Sequence, residues 1–372
     1  MIPTDDLACA AALVQLRGMT PVRLARLLDG FRPGMAWPAL AAGTHPADRG
    51  QRFTAEARRV DPSLVACRYQ AAGVDVLVPG RPGYPSALVG DPGAPAVLGV
   101  DGDPSVLETR PAVAVVGTRS ATRYGVRVAS DLGRGLAGAG VVVVSGLALG
   151  IDAAAHAGAL AAGPDAAPPV AVVGTGLDVV YPRENRLLWE RVASVGAVFS
   201  EAALGTPPEP RVFPARNRII AALSDVVVVV ECHGRGGSLH TVDAAARRSI
   251  PVCAVPGGVH SPASVGTNGL IVDGCTPVRD VDDVLTAVSL ARSGSPLVAG
   301  GWQSDGRHGP DGRVGRLDGV ERTVWQAVDD TPTTVETVLL RTNLSLAALT
   351  RAGGELVDRG LLVSGAGWWS RA

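Results

Sequence analysis

The side chains with the clearest chemical potential in this sequence are arginines that lie beside apolar runs. The stretch FPARNRIIAALSDVVVVVE, residues 213–231, places Arg216 and Arg218 before a helical pattern that leads into five valines. Arg119 and Arg123 follow a second apolar run, AVAVV. Arginine binds phosphate oxygens through paired N–H donors, so arginines that converge on one edge of a sheet predict a phosphate site. The residues alone leave open the alternative that each arginine is a solvated surface side chain.

Aromatic residues make up only 4% of the chain, yet three of them lie near these arginines. They are Tyr124, Tyr181 and Phe213. Each is a candidate for stacking on a nucleobase, an interaction worth about 1–3 kcal/mol. Packing in the core is the competing interpretation, and it is strongest for Phe213.

Composition excludes several classes of protein. The chain of 372 residues contains no lysine, so all of its 34 basic residues are arginine, against 35 acidic residues. A P-loop nucleoside triphosphatase needs the lysine of its phosphate loop, and Schiff-base chemistry needs a lysine amine. Five scattered cysteines without a CxxC pair predict neither a disulfide framework nor a zinc knuckle. Because the net charge is −1, any polyanion must be held by a local arginine cluster.

Residue sets that would indicate catalysis are incomplete. Ser145 is not part of a GxSxG turn, and adjacent Cys232 and His233 would point to opposite faces of a strand. Asp152 and His156 share a helix face, but two ligands are too few for a metal site. The sequence therefore predicts no catalytic residues, no metal and no cofactor.

The pattern of residues 110–290 predicts an α/β fold. Short β-branched runs alternate with alanine-rich helical stretches, which is typical of parallel strands buried on both faces of a Rossmann-like, doubly wound sheet. Most of these runs are followed by glycine or a small hydroxyl residue. In such sheets ligands bind beyond the carboxyl ends of the strands. Glycine at these strand ends lets the backbone approach a ligand closely. The residues that follow the strands therefore predict one wide rim that accepts anions.

The chain divides into five predicted segments. Residues 1–70 have the spacing of short helices, and residues 71–109 form a strand-bearing connector packed on the core. The α/β core over 110–290 is followed by a Gly-, Ser- and Pro-rich linker over 291–318. Residues 319–372 predict three helices and a hairpin, the pattern of a winged helix, with no surplus of cations.

Several motifs together resemble the DNA-processing protein A family, called DprA or Smf. They cover residues 110–285 in the family's order and are VVGTRSATRYG, SGLALGIDAAAH, VVGTGLDVVYPREN, FPARNRIIAALSDVVVVVE, GGSLHTVDAA, VPGG and GTNGLIVDG. The N-terminal helices resemble the small SAM-like or helix-hairpin-helix-like domain of the family. The C-terminal segment resembles its winged helix.

The resemblance implies a protein that binds and protects incoming single-stranded DNA, forms a homodimer and loads the RecA recombinase during natural transformation and recombination. It implies no catalysed reaction. The residues that we predict to bind DNA, by this resemblance or from the arginine and aromatic pattern, are Gly117, Thr118, Arg119, Arg123, Ser145, Gly146, Gly174, Thr175, Tyr181, Arg216, Asn217, Arg218, Gly237 and Ser238. Of these, Arg216 and Arg218 are expected on an exposed rim.

A second function class stays open at this point. Nucleotide phosphoribohydrolases share the fold and carry a catalytic glutamate in a PGGxGTxxE loop. The comparable GGSLHT loop has Thr241 where that glutamate would be.

The sequence also bears on the location of the protein. No apolar run approaches the length of a membrane span, and the N-terminus has no basic leader. We therefore expect a cytoplasmic protein.

Overall fold

The computed structural model describes two compact units, Met1–Gly301 and Trp302–Ala372. The described residues are 5–210, 212–234, 236–293, 317–328, 333–342, 344–359, 361–365 and 368–371. Most of the predicted linker, residues 294–316, lies outside them. No helix in these ranges is long and apolar enough to span a membrane.

Five helices precede the sheet, as the apolar spacing predicts. They are α1 (Asp6–Gln15), α2 (Pro21–Leu27), α3 (Pro33–Ala42), α4 (Thr54–Ala57) and α5 (Pro62–Ala71). The side chains of Asp5, Thr20 and Asp61 accept backbone N–H bonds at the starts of α1, α2 and α5. The central helix α1 is buried from Ala8 to Leu13. Its apolar residues share a core with strand residues of the sheet, so these helices lie directly on the α/β layer.

One nine-stranded sheet organises the first unit. Its strands are β1 (Asp75–Leu77), β2 (Leu98–Gly102), β3 (Ala112–Val116), β4 (Val142–Ser145), β5 (Val170–Val173), β6 (Ala197–Ser200), β7 (Val226–Val229), β8 (Val252–Ala254) and β9 (Thr276–Pro277). Their order is β1-β2-β6-β5-β4-β3-β7-β8-β9. Strands β3 to β9 pair in parallel, which confirms the predicted Rossmann-like fold.

The predicted connector contributes to this sheet directly. Strand β2 pairs antiparallel with β6, and β1 pairs antiparallel with β2. The two strands therefore form one edge of the same sheet, in the same compact unit as the core. Apolar alternation over 98–100 buries Leu98 and Val100 of β2 on one face, which is the pattern expected for a strand with one packed face.

Helices cover both faces of the sheet. They are α6 (Arg123–Gly138), α7 (Ile151–Leu160), α8 (Arg186–Val195), α9 (Val212–Ala222), α10 (Leu239–Ala246), α11 (Val265–Val272) and α12 (Val281–Ser293). Alternate residues of each central strand enter opposite cores, so that Ala114 packs toward α9 and α10 while Val113 and Val115 pack toward α6 and α7. Continuous valine runs are the sequence consequence of burial on two faces.

The chain changes direction at β3. After β3 the chain adds β4, β5 and β6 on one side, and then returns through α9 to place β7 on the other side. Helices α6 and α9 consequently lie on opposite faces of the sheet. The carboxyl ends of β3 and β7 therefore flank a topological switch point, the usual ligand position in such sheets.

The second unit has its own small core. It contains α13 (Gly319–Ala327), β10 (Thr333–Thr334), α14 (Val335–Thr342), α15 (Leu346–Asp358), β11 (Leu362–Gly365) and β12 (Trp368–Arg371). The strands form an antiparallel sheet in the order β10-β12-β11, and Val324, Leu349 and Trp369 are among the buried residues. The three predicted helices and the hairpin are present. The winged-helix assignment itself stays a prediction.

A close helix contact gives a stability test. In α6 an alanine Cβ at Gly133 would lie 2.2 Å from the backbone oxygen of Ala155 in α7, whereas a Cβ at Gly138 would meet nothing within 4 Å. We expect Gly133→Ala to destabilise the protein by about 1–3 kcal/mol through overpacking. Gly138→Ala in the same helix should stabilise it by about 0.4–1 kcal/mol. Denaturant unfolding of both variants checks this, and equal stabilities would contradict it.

Candidate nucleic-acid interface

A cavity of about 890 Å³ opens at the switch point. Its wall combines the segment after β3, the segment after β7, the first turns of α9 and the start of α10. The predicted residues on this wall are Gly117, Thr118, Arg119, Tyr181, Arg216, Asn217, Gly237 and Ser238. Eight residues that are far apart in the sequence are thus brought together at one site. Their role in binding DNA remains a prediction.

A buried carboxylate holds the loop between β3 and α6. Glu231, directly beyond β7, is 1% exposed. Its two oxygens accept hydrogen bonds from the backbone nitrogen and the hydroxyl of Thr122, at 2.9 and 2.5 Å. The backbone oxygen of Glu231 accepts a bond from Thr118 at 2.8 Å, and a Cβ at Gly125 would collide with its side chain. The loop that carries Arg119 is therefore fixed to the neighbouring strand.

A guanidinium group and two rings form a row at the mouth of the cavity. The Cζ of Arg119 lies 4.7 Å from the centre of the Phe213 ring, and the Phe213 and Tyr181 rings are 5.6 Å apart. Arg119 is exposed and Tyr181 is 37% exposed. Phe213 also lines the cavity, so it is not confined to the core. Stacked in this way, Arg119 presents an oriented cation next to aromatic faces.

Arg216 lies on the inner wall, and the expectation that it sits on an exposed rim is wrong. The residue is only 7% exposed, and its Nη1 donates a hydrogen bond to the backbone oxygen of Val172 in β5. Burial lowers the pKa of Arg216 to about 10, with the nearby Asp152 carboxylate opposing the shift and Arg119 adding to it. The group therefore stays cationic at neutral pH. Its Nε has no partner within the described structure.

The space for this guanidinium comes from Gly146. A Cβ at that position would lie 2.0 Å from Nη1 of Arg216. The Gly146 backbone nitrogen donates to the Asp152 carboxylate at 3.1 Å. Burial raises the pKa of Asp152, and the charge of Arg216 opposes this. Asp152, which by sequence is only one of two possible ligands in an incomplete metal set, is thus the nearby negative charge at the cavity floor.

Arg218 points elsewhere, which also corrects its predicted place on the rim. Its Nη2 donates to both carboxylate oxygens of Glu201, at 2.7 and 2.8 Å. Arg218 is not among the residues that line the cavity. Glu201 follows β6, so this ion pair connects α9 to the end of that strand. The position of Arg218 favours holding α9 over contacting a ligand.

The remaining predicted residues lie outside the cavity wall. The hydroxyls of Ser145 and Thr175 are buried and donate to the backbone oxygens of Val115 and Val179, at 2.6 and 2.7 Å. A Cβ at Gly174 would crowd Val212 at 3.0 Å, so Gly174 gives α9 room beside β5. Arg123 is exposed at the first position of α6. Ser145, Thr175 and Gly174 support the cavity from behind its surface.

Two residues outside the predicted DNA-binding set also contribute to the site. His233 lies beyond β7, with its Nδ1 3.2 Å from the hydroxyl of Thr118. Asn185 is not among the residues that line the cavity, but it donates to the backbone oxygens of Leu147 and Ala148 at 2.9 and 3.2 Å and so holds the turn after β4. Asn185 lies in the motif GTGLDVVYPREN, but the sequence does not show which backbone groups its side chain binds. Among the described residues no group of His, Cys, Asp or Glu is placed to hold a metal.

These features define a Rossmann-like protein with an anion-receptive cavity at its switch point. The family described as DNA recombination-mediator protein A matches residues 75–289, and the chain belongs to this family. It is 32% identical over 313 residues to protein Smf of Synechocystis, covering 82% of this chain and 77% of that protein. Alignments to putative DprA proteins of Mycobacterium tuberculosis cover about half of each relative.

Solved structures agree with this assignment. DNA processing protein A from Streptococcus pneumoniae superposes with a TM-score of 0.65 at 32% identity, over 75% of this chain and 97% of the other. The Helicobacter pylori protein superposes with a TM-score of 0.51 at 29% identity, over 59% and 96%. The structure of the latter describes a single-stranded DNA binding mode of that protein.

The buried histidine beside Arg216 predicts a pH effect on stability. Burial lowers the pKa of His156 to about 4 from 6.5, opposed by its 3.0 Å bond to the Val170 oxygen. As the pH falls below 6.5, the His156 imidazole takes up a proton in the unfolded chain but stays neutral in the folded protein. The parent should therefore lose about 2 kcal/mol between pH 7 and 5 that His156→Gln does not lose. Unfolding titrations at both pH values check this, and identical losses would contradict it.

Proposed function

We propose that this protein binds single-stranded DNA in the cavity at the switch point. The observation that carries the proposal is the row formed by Arg119, Phe213 and Tyr181 above the buried cation of Arg216. Aromatic rings next to guanidinium groups suit a chain of alternating bases and phosphates, because bases stack on the rings while arginine binds the phosphate oxygens.

The cavity favours a single strand over a duplex. In a duplex the base faces are stacked on each other, so they cannot pack on Tyr181 or Phe213. Phosphate contacts and stacking carry little base information, so we expect weak sequence preference. The single-stranded DNA binding of the Helicobacter pylori relative supports this assignment.

The unpartnered Nε of Arg216 supports a phosphate inside the cavity. A buried N–H without a hydrogen bond costs free energy. An anion that enters from the mouth would supply an acceptor and a counter-charge together. Asp152 is the only acidic residue among the described residues that line the cavity, so the field there is favourable for one added negative group. Asn217 is held beside it by its 3.1 Å bond to the Gly237 oxygen.

The wider role that we propose follows from the family. The description of that family as a recombination mediator supports a function in which the protein protects incoming single strands and loads the RecA recombinase, as in natural transformation. In this role the protein acts as a cytoplasmic homodimer. It catalyses no reaction and uses no cofactor. A strand-exchange assay with RecA and a strand-coating competitor, with and without this protein, tests the loading step.

The DNA-binding proposal predicts a selective loss at Arg119. The parent should bind an oligothymidylate far more tightly than a duplex. Arg119→Ala should weaken single-strand binding about tenfold, as expected for a charge-assisted contact. It should also reduce the slope of log K against log salt by about 0.7, the value for one phosphate on a single strand. Fluorescence anisotropy over a salt series measures both effects.

A matched control is available on α8. Arg191 is exposed there and is not part of the cavity wall, so Arg191→Ala should leave affinity and salt slope unchanged. Circular dichroism confirms that both variants are folded. If single strands and duplex bind equally, or if Arg119→Ala behaves like Arg191→Ala, the cavity is not the DNA site.

The absence of catalysis is a separate prediction. The phosphoribohydrolase alternative needs a catalytic carboxylate where Thr241 lies, and Thr241 is 1% exposed on the cavity wall. A threonine hydroxyl cannot act as a carboxylate base near neutral pH. We expect no base release when the protein is incubated with each nucleoside monophosphate and the products are separated by chromatography. Release that is lost in Thr241→Val would establish the enzyme function instead.

A further inference from the structure

A second cationic surface begins where the cavity ends. Helix α6 starts four residues after Arg119, and Arg123 and Arg127 lie on its first two turns. At about 100° per residue the two side chains point only about 40° apart. Both residues are exposed, and neither forms an ion pair within the described part of the chain. Two free cations thus continue the charge of the cavity mouth along one helix face.

Some other arginines lie one turn before a carboxylate. Arg279, just before α12, is held by Asp283 at 2.8 Å, four residues further along the chain. Arg186 lies 3.8 Å from Glu190 at the same spacing. At Arg123 the residue one turn later is another arginine, so repulsion replaces the usual i,i+4 attraction. Such a pair stabilises the helix less than an ion pair would, and an anionic ligand would relieve it.

An exposed ring lies to one side of the two arginines, about 60° round the helix from Arg127 and about 100° from Arg123. Tyr124 is 49% exposed, and its hydroxyl donates to the backbone oxygen of Pro256 at 2.8 Å. The hydrogen bond fixes one end of the side chain, so the ring face is oriented before any ligand arrives. A base that stacks on it would not have to order the side chain first.

The cationic run has a defined end. Asp131 follows Arg127 by one turn, about 40° further round the helix, and it is exposed. Arg134 lies on the same face beyond this carboxylate, at about 20° from Arg123. A strand that follows the arginines would meet a like charge at Asp131 and leave the helix there.

We propose that single-stranded DNA leaving the cavity at Arg119 continues along the first two turns of α6, with its phosphates on Arg123 and Arg127 and a base on Tyr124. This surface, which we call the α6 track, rests on the proposed function of the cavity. It is a second subsite for the same ligand. An acidic protein partner would complement the charges but would make no use of the fixed ring face.

The test compares two lengths of oligothymidylate, about 6 and about 16 nucleotides, within the range of sizes of single-strand sites. The parent should bind the longer strand more tightly and with a steeper salt dependence. Arg123→Ala with Arg127→Ala should weaken binding of the longer strand about tenfold and lower its salt slope by about 1.4. The same double variant should change binding of the shorter strand less than about twofold, since the cavity alone can hold it.

Three single variants sharpen the result. Arg134→Ala is the matched control, because it removes the same side chain from the same face beyond Asp131, and it should change neither length. Asp131→Arg should tighten binding of the longer strand. Tyr124→Phe should retain more affinity for the longer strand than Tyr124→Ala, since it keeps the ring.

The outcomes separate this inference from the proposed function. If the shorter strand binds but the double variant matches the parent on the longer strand, the α6 track is wrong and the cavity assignment stands. A double variant that loses affinity for duplex DNA but not for single strands also overturns it. If neither strand binds the parent protein, both proposals fall.

Discussion

The burial of one guanidinium group beneath the carboxyl ends of the strands is the constraint on which this site depends. Arg216 can lie there only because Gly146 has no side chain and Asp152 supplies a nearby negative charge. A charge removed from water needs such partners, since its desolvation costs several kcal/mol. The bend after β4, the start of α7 and the first turns of α9 are therefore coupled through one side chain.

That constraint explains why the cavity is polar at its floor and aromatic at its mouth. On the floor, Nη1 of Arg216 donates to the Val172 oxygen, the negative charge of Asp152 acts on the guanidinium from nearby, and Nε has no partner within the described structure. At the mouth, Arg119 keeps its charge in contact with water and lies on Phe213. An anion at the floor would be screened little by salt, whereas one at the mouth would be screened strongly. The two cations thus differ in how they contribute to binding, although their chemistry is the same.

The sequence predicts the architecture well because its main signal is local. Valine runs and alanine-rich stretches mark strands and helices without any knowledge of the fold, and the parallel sheet follows from burial on both faces. The switch point could not be read in the same way, since it depends on β7 pairing with β3 across more than a hundred residues. Neither could the sheet pairing of β1 and β2, whose runs are short and interrupted by proline and glycine.

For the site, the sequence predicts which residue types are present, but it does not predict which of their side chains are buried. The motif that contains Arg216 and Arg218 indicates cations near a helix start, where arginine is normally solvated. In the structure Arg216 is buried within the field of Asp152, and Arg218 is paired with Glu201. Both partners are distant in the sequence. From the sequence, Phe213 is most simply interpreted as a core residue. In the structure its ring lies beside Arg119 and Tyr181.

The absence of lysine has a physical consequence at this position. A buried lysine readily loses its proton, with pKa values of about 5–6 documented for fully buried groups. Arg216 is buried to a similar degree, yet its pKa falls only to about 10. A lysine buried on this floor would lose its proton more readily than the guanidinium does. The guanidinium keeps its charge and still has an N–H to give, so the depth of the cavity and the choice of arginine depend on each other.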